Sequence, residues 1–249
     1  MEIGIITFII VGFLAQMIDG ALGMAYGVSS TSFLLFAGVS PVTASASVHM
    51  AEVFTTFVSG ISHFSFKNVD KNLLKRLVIP GVAGGVIGAY ILTNISVKAI
   101  KPYMNLYLVI MGCIIIYKAF KKIAFRETSA EQIWGLGLIG GFFDAIGGGG
   151  WGPIVTSSLV ADSHNPRYVI GSVNLAEFFV TFAQAVTFVT FLGVMQQGKA
   201  LLGLAIGGVL AAPLAAFLSK KIPTKALMIL LGVLILVLNV RELVLLVLL

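Results

Sequence analysis

The chain has 249 residues, of which 58% are hydrophobic and only 10% are charged, and its mean hydropathy is +1.05. A soluble core does not need so much apolar surface, so the composition predicts an all-α polytopic membrane protein. The net charge of +6 does not indicate a nucleic-acid partner, because the basic residues lie in short loops, where the orientation signals of membrane proteins belong. Cys113 is the only cysteine, which excludes an internal disulfide and a thiol metal site.

Apolar runs and breaks divide the chain into two halves with the same order of elements. Each half begins with an apolar helix, passes through a glycine-containing break into a short apolar segment, and ends with three longer helices. In the first half we predict 3–18, the break 19–27, and then 28–37, 41–64, 73–93 and 101–121. In the second half we predict 131–146, the break 147–152, and then 153–161, 166–192, 199–218 and 225–248. The chain would thus comprise a first transmembrane repeat over 1–121, a linker over 122–130 and a second repeat over 131–249.

The two halves repeat one sequence pattern at a spacing of 125 residues. Between residues 19 and 57, 14 of the 39 positions are identical to the residue 125 positions later. The identical pairs include Asp19 with Asp144, Gly23 with Gly148, Gly27 with Gly152, Pro41 with Pro166, Ser47 with Ser172, and Glu52 with Glu177. In a membrane protein, duplicated halves that each contain a broken segment indicate a transporter whose site lies where the halves meet.

The basic residues favour one of two topologies. The segments 28–37 and 153–161 are too short to span a bilayer, so each either returns to the side it came from or continues a broken span. If each first helix and the short segment after it form a returning pair, twelve Lys and Arg residues lie on one side of the membrane and three on the other. If they form a broken span, the numbers are nine and six. The positive-inside rule therefore favours returning pairs in a cell (inner) membrane, with both termini extracytoplasmic and the two halves inverted.

One face of the helix over 41–64 is polar, although the surrounding residues are apolar or small. Its members recur at steps of three and four: Ser45, His49, Glu52, Thr56, Ser59 and His63, matched in the second half by Asn174, Glu177, Thr181 and Gln184. Such a stripe must face a cavity or another helix, and its hydroxyl and amide members also suit simple helix packing. A carboxylate at membrane depth tends to take up a proton, and His49 lies one turn before Glu52, within reach of it. We therefore predict a proton-coupling role for His49, Glu52 and Glu177.

The two breaks are candidate anion sites, because free backbone N–H groups and the N-terminus of the next helix attract negative charge. The predicted substrate contacts there are Gly23, Tyr26, Gly27, Gly148, Gly149, Gly150, Trp151 and Gly152, with Tyr26 and Trp151 as walls. Asp19 and Asp144 precede the glycines and would either line the site or cap the broken turns. The alternative is that the glycines only allow close backbone packing.

The duplicated, glycine-broken halves resemble the sulfite exporter TauE/SafE family, also called the toluene sulfonate uptake permease family. The resemblance rests on 12–27 and 137–152, on the Pro41 helix with Ser47-x-His49-x-x-Glu52, and on its second copy, Ser172-x-Asn174-x-x-Glu177. It extends through 80–88 and the link at 222–223. It implies a secondary transporter of sulfur-containing anions without fixing the direction, and the lone Cys113 is unlike the cysteine path of thiosulfate-carrying relatives.

Together these features predict a proton-coupled, alternating-access transporter of sulfite, sulfoacetate or another organosulfonate, with Ser47, Ser172 and Asn174 as further substrate contacts. Its partners would be the small anionic substrate and the lipid bilayer, with no cofactor and no resident metal, and a homo-oligomer is left open. The alternative is a cation or divalent-metal transporter, because four carboxylates without a Lys or Arg at membrane depth suit a cation. An intramembrane enzyme is not supported, since the chain has no HExxH motif and no Ser nucleophile elbow.

Overall fold

The computed structural model describes residues 4–24, 26–120, 128–161, 166–193, 198–218 and 224–248, and the regular structure in these ranges is entirely helical. In chain order the helices are α1 (Ile5–Leu22), α2 (Tyr26–Phe36), α3 (Pro41–Ser65), α4 (Lys71–Asn94), α5 (Val97–Phe120), α6 (Ala130–Gly147), α7 (Ser157–Ala161), α8 (Pro166–Leu192), α9 (Gly198–Leu218) and α10 (Thr224–Leu248). A π-helical turn over Gly152–Thr156 leads into α7. Most of the predicted linker, including Lys122 and Arg126, lies outside the described residues, as do Lys121, Lys220 and Lys221.

Five of the described helices are long and apolar enough to cross a membrane, which confirms an α-helical, multi-pass membrane protein. The spans are Lys71–Asn94, Val97–Phe120, Tyr168–Leu192, Gly198–Ala215 and Met228–Leu246. Helix α3 has 25 residues, but its polar stripe lowers its hydropathy. That stripe is buried from Ser45 to Ser59, with His49 and Ser45 fully inaccessible, whereas His63 at the end of the helix is half-buried.

The helix bounds agree with the predicted ones to within a few residues, but the first break is shorter than predicted. Helix α1 continues through Asp19 and Gly20 to Leu22, and Gly23 ends it in the left-handed conformation at φ 67°. Gly20 is helical because it lies directly against Ala215 of α9, where a larger residue would not fit. In the second half, Gly148 ends α6 in the same way at φ 68°.

Each short segment after a break runs back alongside the helix before it. In the first half, the rings of Phe8 and Phe33, near the start of α1 and the end of α2, are in edge-to-face contact at 6.2 Å. In the second half, Val155 packs directly on Gly140 of α6. The first contact joins residues far from the break on either side, and the second places the segment after the break on the preceding helix, so the chain turns back at both breaks.

The two halves are interlocked because each packs its first helix on the other half. Helix α1 packs on α9 and α6 packs on α4, while α3 pairs with α8 and α5 with α10. Glycines allow the close crossings: Gly12 lies against Leu204, and its counterpart Gly137 lies against Leu77 and Pro80. This exchange brings α3, α8 and both breaks together in the interior.

Candidate functional site

A small cavity lies where the two breaks meet α3 and α8, with room for about one water molecule. Its lining combines backbone from both breaks with the four duplicated carboxylates: Asp19, Gly27, Val28, Glu52, Asp144, Gly149, Gly150, Gly152, Pro153 and Glu177. None of these described lining residues is Lys or Arg. The fold therefore places eight of the predicted site residues around one buried space.

Asp144 is the most heavily hydrogen-bonded side chain in this cluster. Its Oδ1 accepts the backbone N–H groups of Gly150 at 2.7 Å and Trp151 at 2.9 Å. Its Oδ2 lies 3.1 Å from His49 Nε2 and accepts Gln184 Nε2 at 3.1 Å. Asp144, near the end of α6, thus caps the N–H groups of the segment that follows the break. Capping was one of the two roles proposed for it from the sequence, and Asp144 also lines the cavity.

His49 is held between two acceptors in the protein interior. Its Nδ1 lies 2.7 Å from the backbone oxygen of Ser45, and its Nε2 faces Asp144. A carbonyl oxygen and a carboxylate both accept hydrogen bonds, so the arrangement suits an imidazolium that donates from both nitrogens. Glu52, the partner expected from helix spacing, is farther away, with Oε2 4.0 Å from His49 Nε2.

Glu52 and Glu177 differ from Asp144 in having few partners. Both are almost fully buried, at 2% and 6% exposure. Glu52 lines the cavity, and its Oε2 makes no hydrogen bond with any described residue. A buried carboxylate oxygen without a donor is costly when ionised, so this position suits a group that binds a proton.

The first half has different residues around the matching carboxylate, Asp19. Asp19 Oδ1 accepts the N–H of Tyr26 at 3.3 Å. The residues that match His49 and Gln184 are Asn174 and Ser59, and Ser59 Oγ donates to Asn174 Oδ1 at 3.1 Å. The duplicated site is therefore chemically asymmetric.

The two breaks touch each other through their backbones. Gly149, at φ 147°, lies against Gly27 and Val28 so closely that no side chain fits. Two hydroxyls from the first half hold the second break: Tyr107 donates to Gly149 O at 3.0 Å, and Thr31 donates to Gly148 O. Neither Tyr107 nor Gln184 was among the predicted site residues. Tyr107 has no aromatic counterpart in the second half, so the repeat gave no signal for it.

Several predicted substrate contacts lie outside the lining of this cavity: Gly23, Tyr26, Ser47, Gly148, Trp151, Ser172 and Asn174. Tyr26 and Trp151 pack against neighbouring helices: Tyr26 Oη donates to Leu204 O at 2.8 Å, and Trp151 Nε1 donates to Val173 O at 3.3 Å. Ser172 Oγ instead accepts the N–H of Asp70, the capping residue of α4. Binding roles for these residues stay predictions.

His49, Glu52 and Asp144 also offer three ligand atoms within 4.8 Å of one another, which is the spacing of a metal site. The pairing of His49 Nε2 with Asp144 opposes that use, because a metal needs the lone pair of the same nitrogen. The geometry fits an internal ion pair better than a metal centre.

Similarity to known proteins identifies the family of this chain. The model of the sulfite exporter TauE/SafE family matches residues 8–241. The chain belongs to the TauE/SafE family. Among curated relatives, the probable membrane transporter protein YtnM of Bacillus subtilis (strain 168) is 41% identical, over 96% of this chain and 83% of that protein. No solved structure matches. The chain is thus a membrane transporter and not an enzyme, as the sequence predicted.

Proposed function

We propose that this TauE/SafE protein is a secondary active transporter that moves a small sulfur-containing anion across the cell membrane, coupled to protons by alternating access. Sulfite, sulfoacetate and other organosulfonates are the proposed substrates. The observation that carries the proposal is the cavity in which both breaks and the matched pair Glu52 and Glu177 meet. The family description, sulfite exporter, supports the substrate class.

The proposed framework is a pair of inverted repeats, with the site at their interface near the middle of the membrane. The exchanged packing of α1 on α9 and of α6 on α4 supports it, because a two-fold relation between the halves would produce such reciprocal pairs. Both termini would lie on the extracytoplasmic side. The loops 19–27 and 144–152 would seat the anion once the cavity opens.

Protons are the proposed coupling ion because the cavity is acidic. Four carboxylates surround it, and an anion would be repelled unless some of them are neutral or paired. His49 is paired with Asp144, whereas Glu52 Oε2 has no hydrogen bond with the described residues. Glu52 and its buried counterpart Glu177 are therefore the proposed proton carriers. Binding of an anion together with protons would satisfy this charge balance.

The test is uptake of labelled sulfite and sulfoacetate into proteoliposomes, with and without an imposed proton gradient. Accumulation that depends on the gradient is expected, and empty liposomes with the same gradient provide the control. Absence of anion movement under both conditions, with divalent-metal flux instead, would overturn the proposal in favour of a cation transporter.

A further inference from the structure

Four hydrogen-bond donors converge on one carboxylate at the second break. Two are backbone N–H groups at the start of the segment that follows the break, those of Gly150 and Trp151. The other two are His49 Nε2 and Gln184 Nε2, both 3.1 Å from Asp144 Oδ2. A helix N-terminus joined by a cationic imidazole and an amide is an anion-binding site, and here its occupant is a side chain of the chain itself.

The neighbouring cavity leaves no space for a substrate anion in this conformation. It accommodates about one water molecule, and its lining includes Glu52, whose Oε2 is buried without a hydrogen bond to the described residues. A sulfonate or sulfite group could therefore use the four donors only if Asp144 gives them up. Once released, Asp144 would stand beside Glu52, and two adjacent buried carboxylates would not both stay ionised.

We propose that Asp144 is an internal ligand that the substrate anion replaces, and that Asp144 leaves the donors as the neutral acid. A proton from the side of anion entry forms an O–H bond with the Asp144 carboxylate. The anion takes over the N–H groups of Gly150 and Trp151 together with His49 and Gln184. Proton and anion binding are then obligatorily linked, which specifies how the proposed function works and rests on it.

The titratable groups around Asp144 fit this exchange. His49 and Glu52 face it from α3, Asp19 from α1, Glu177 from α8, and Tyr107 reaches the adjacent glycine backbone from α5. Only His49 adds positive charge. In the first half, the place of His49 is taken by Asn174, a neutral amide that brings no positive charge and accepts from Ser59. The exchange is therefore assigned to the second half.

The first experiment measures proton uptake when sulfoacetate binds to the purified wild-type protein, with a pH-indicator dye in weak buffer. Sulfoacetate is chosen because its acidic groups stay ionised near neutral pH, whereas sulfite itself takes up a proton. About one proton is expected to be taken up per anion bound. Binding without proton uptake would overturn the inference even if Asp144 variants failed to fold.

The second experiment uses Asp144→Asn, which mimics the neutral acid. It should exchange labelled for unlabelled sulfoacetate across the membrane but lose accumulation driven by a proton gradient. Asp70→Asn is the matched control; Asp70 caps α4 outside the site, and Asn is an equally good cap, so accumulation should be unchanged. Gradient-driven accumulation by Asp144→Asn would overturn the inference alone, whereas a wild type that moves neither sulfoacetate nor sulfite would defeat the proposed function.

Discussion

At the residue scale, the main contrast is between carboxylates that have partners and those that do not. Asp144 receives four donors, while Glu52 Oε2 receives none among the described residues. A partnered carboxylate keeps its ionisation state while its donors hold it, so Asp144 takes up a proton only when the anion replaces it. An unpartnered carboxylate can change its proton occupancy without losing a hydrogen bond. A proton-carrying role is therefore also expected of Glu52 on α3 and of its counterpart Glu177 on α8.

The double variant Glu52→Gln with Glu177→Gln tests that role. Glutamine keeps the shape of a protonated glutamate but cannot release a proton, so the variant should fold and lose accumulation driven by a proton gradient. Accumulation in proteoliposomes and the thermal unfolding midpoint are the two measurements. Glu131→Gln, an exposed acid in the first turn of α6, is the control and should behave as wild type. Wild-type accumulation by the double variant would show that Glu52 and Glu177 do not carry coupling protons.

Gly149 tests the contact between the two breaks. At φ 147° a side chain is strained, and a Cβ would press on the backbone of Gly27 and Val28. We expect Gly149→Ala to lower the free energy of unfolding by about 1–3 kcal/mol and to abolish transport. Gly135→Ala on α6, where a Cβ meets nothing within 4 Å, should leave both unchanged. Equal stability of the two variants would contradict the close contact.

At the element scale, the sequence predicted the helices well and their partners poorly. Hydropathy and Gly or Pro breaks located every described helix, because membrane spans are long and apolar and their ends are marked locally. The spacing on α3 suggested a pairing of His49 with Glu52, but His49 lies closer to Asp144 on α6. Helical spacing identifies neighbours within one helix, whereas the packing of α3 on other helices decides which neighbour is bonded.

Two matched hydroxyls can measure the difference between α2 and the π-helical turn that leads into α7. Thr31 on α2 donates to Gly148 O, while its counterpart Thr156 carries a buried Oγ1 that makes no hydrogen bond with the described residues. Valine keeps the shape and removes the hydroxyl. Thr31→Val should therefore lower the free energy of unfolding by about 1 kcal/mol, and Thr156→Val should leave it unchanged or raise it.

Thermal unfolding in one detergent and buffer checks the two threonine variants side by side. The expected result is a lower midpoint for Thr31→Val than for Thr156→Val. The two positions are 125 residues apart in matched segments, so each variant serves as the control for the other. Equal midpoints would mean that the second break is not held by the Thr31 hydroxyl.

At the scale of the whole molecule, the interlocked packing constrains how the site can open. Helix α1 belongs to the first half by sequence but packs on α9, and α6 of the second half packs on α4. The cavity lies between α3 and α8, which pair with each other across the two halves. Opening the cavity must therefore move elements of both halves together, which fits a transporter that alternates between two states.

Inversion of the halves predicts that matched loops lie on opposite sides of the membrane. Lys98 and Lys225 are exposed and occupy corresponding places at the starts of α5 and α10, and Lys71 and Lys199 do so at the starts of α4 and α9. Each is replaced singly by cysteine in a Cys113→Ser background, so that the introduced thiol is the only one in the chain.

In intact cells, a membrane-impermeant maleimide should label Lys98→Cys and Lys199→Cys. Lys71→Cys and Lys225→Cys should react only after permeabilisation, because the positive-inside rule places the richer basic loops in the cytoplasm. Reaction of all four in permeabilised cells controls for access to the thiol. Reaction of Lys98→Cys and Lys225→Cys from the same side would mean that the two halves are parallel. That result would contradict the inverted repeats on which the proposed alternating access rests.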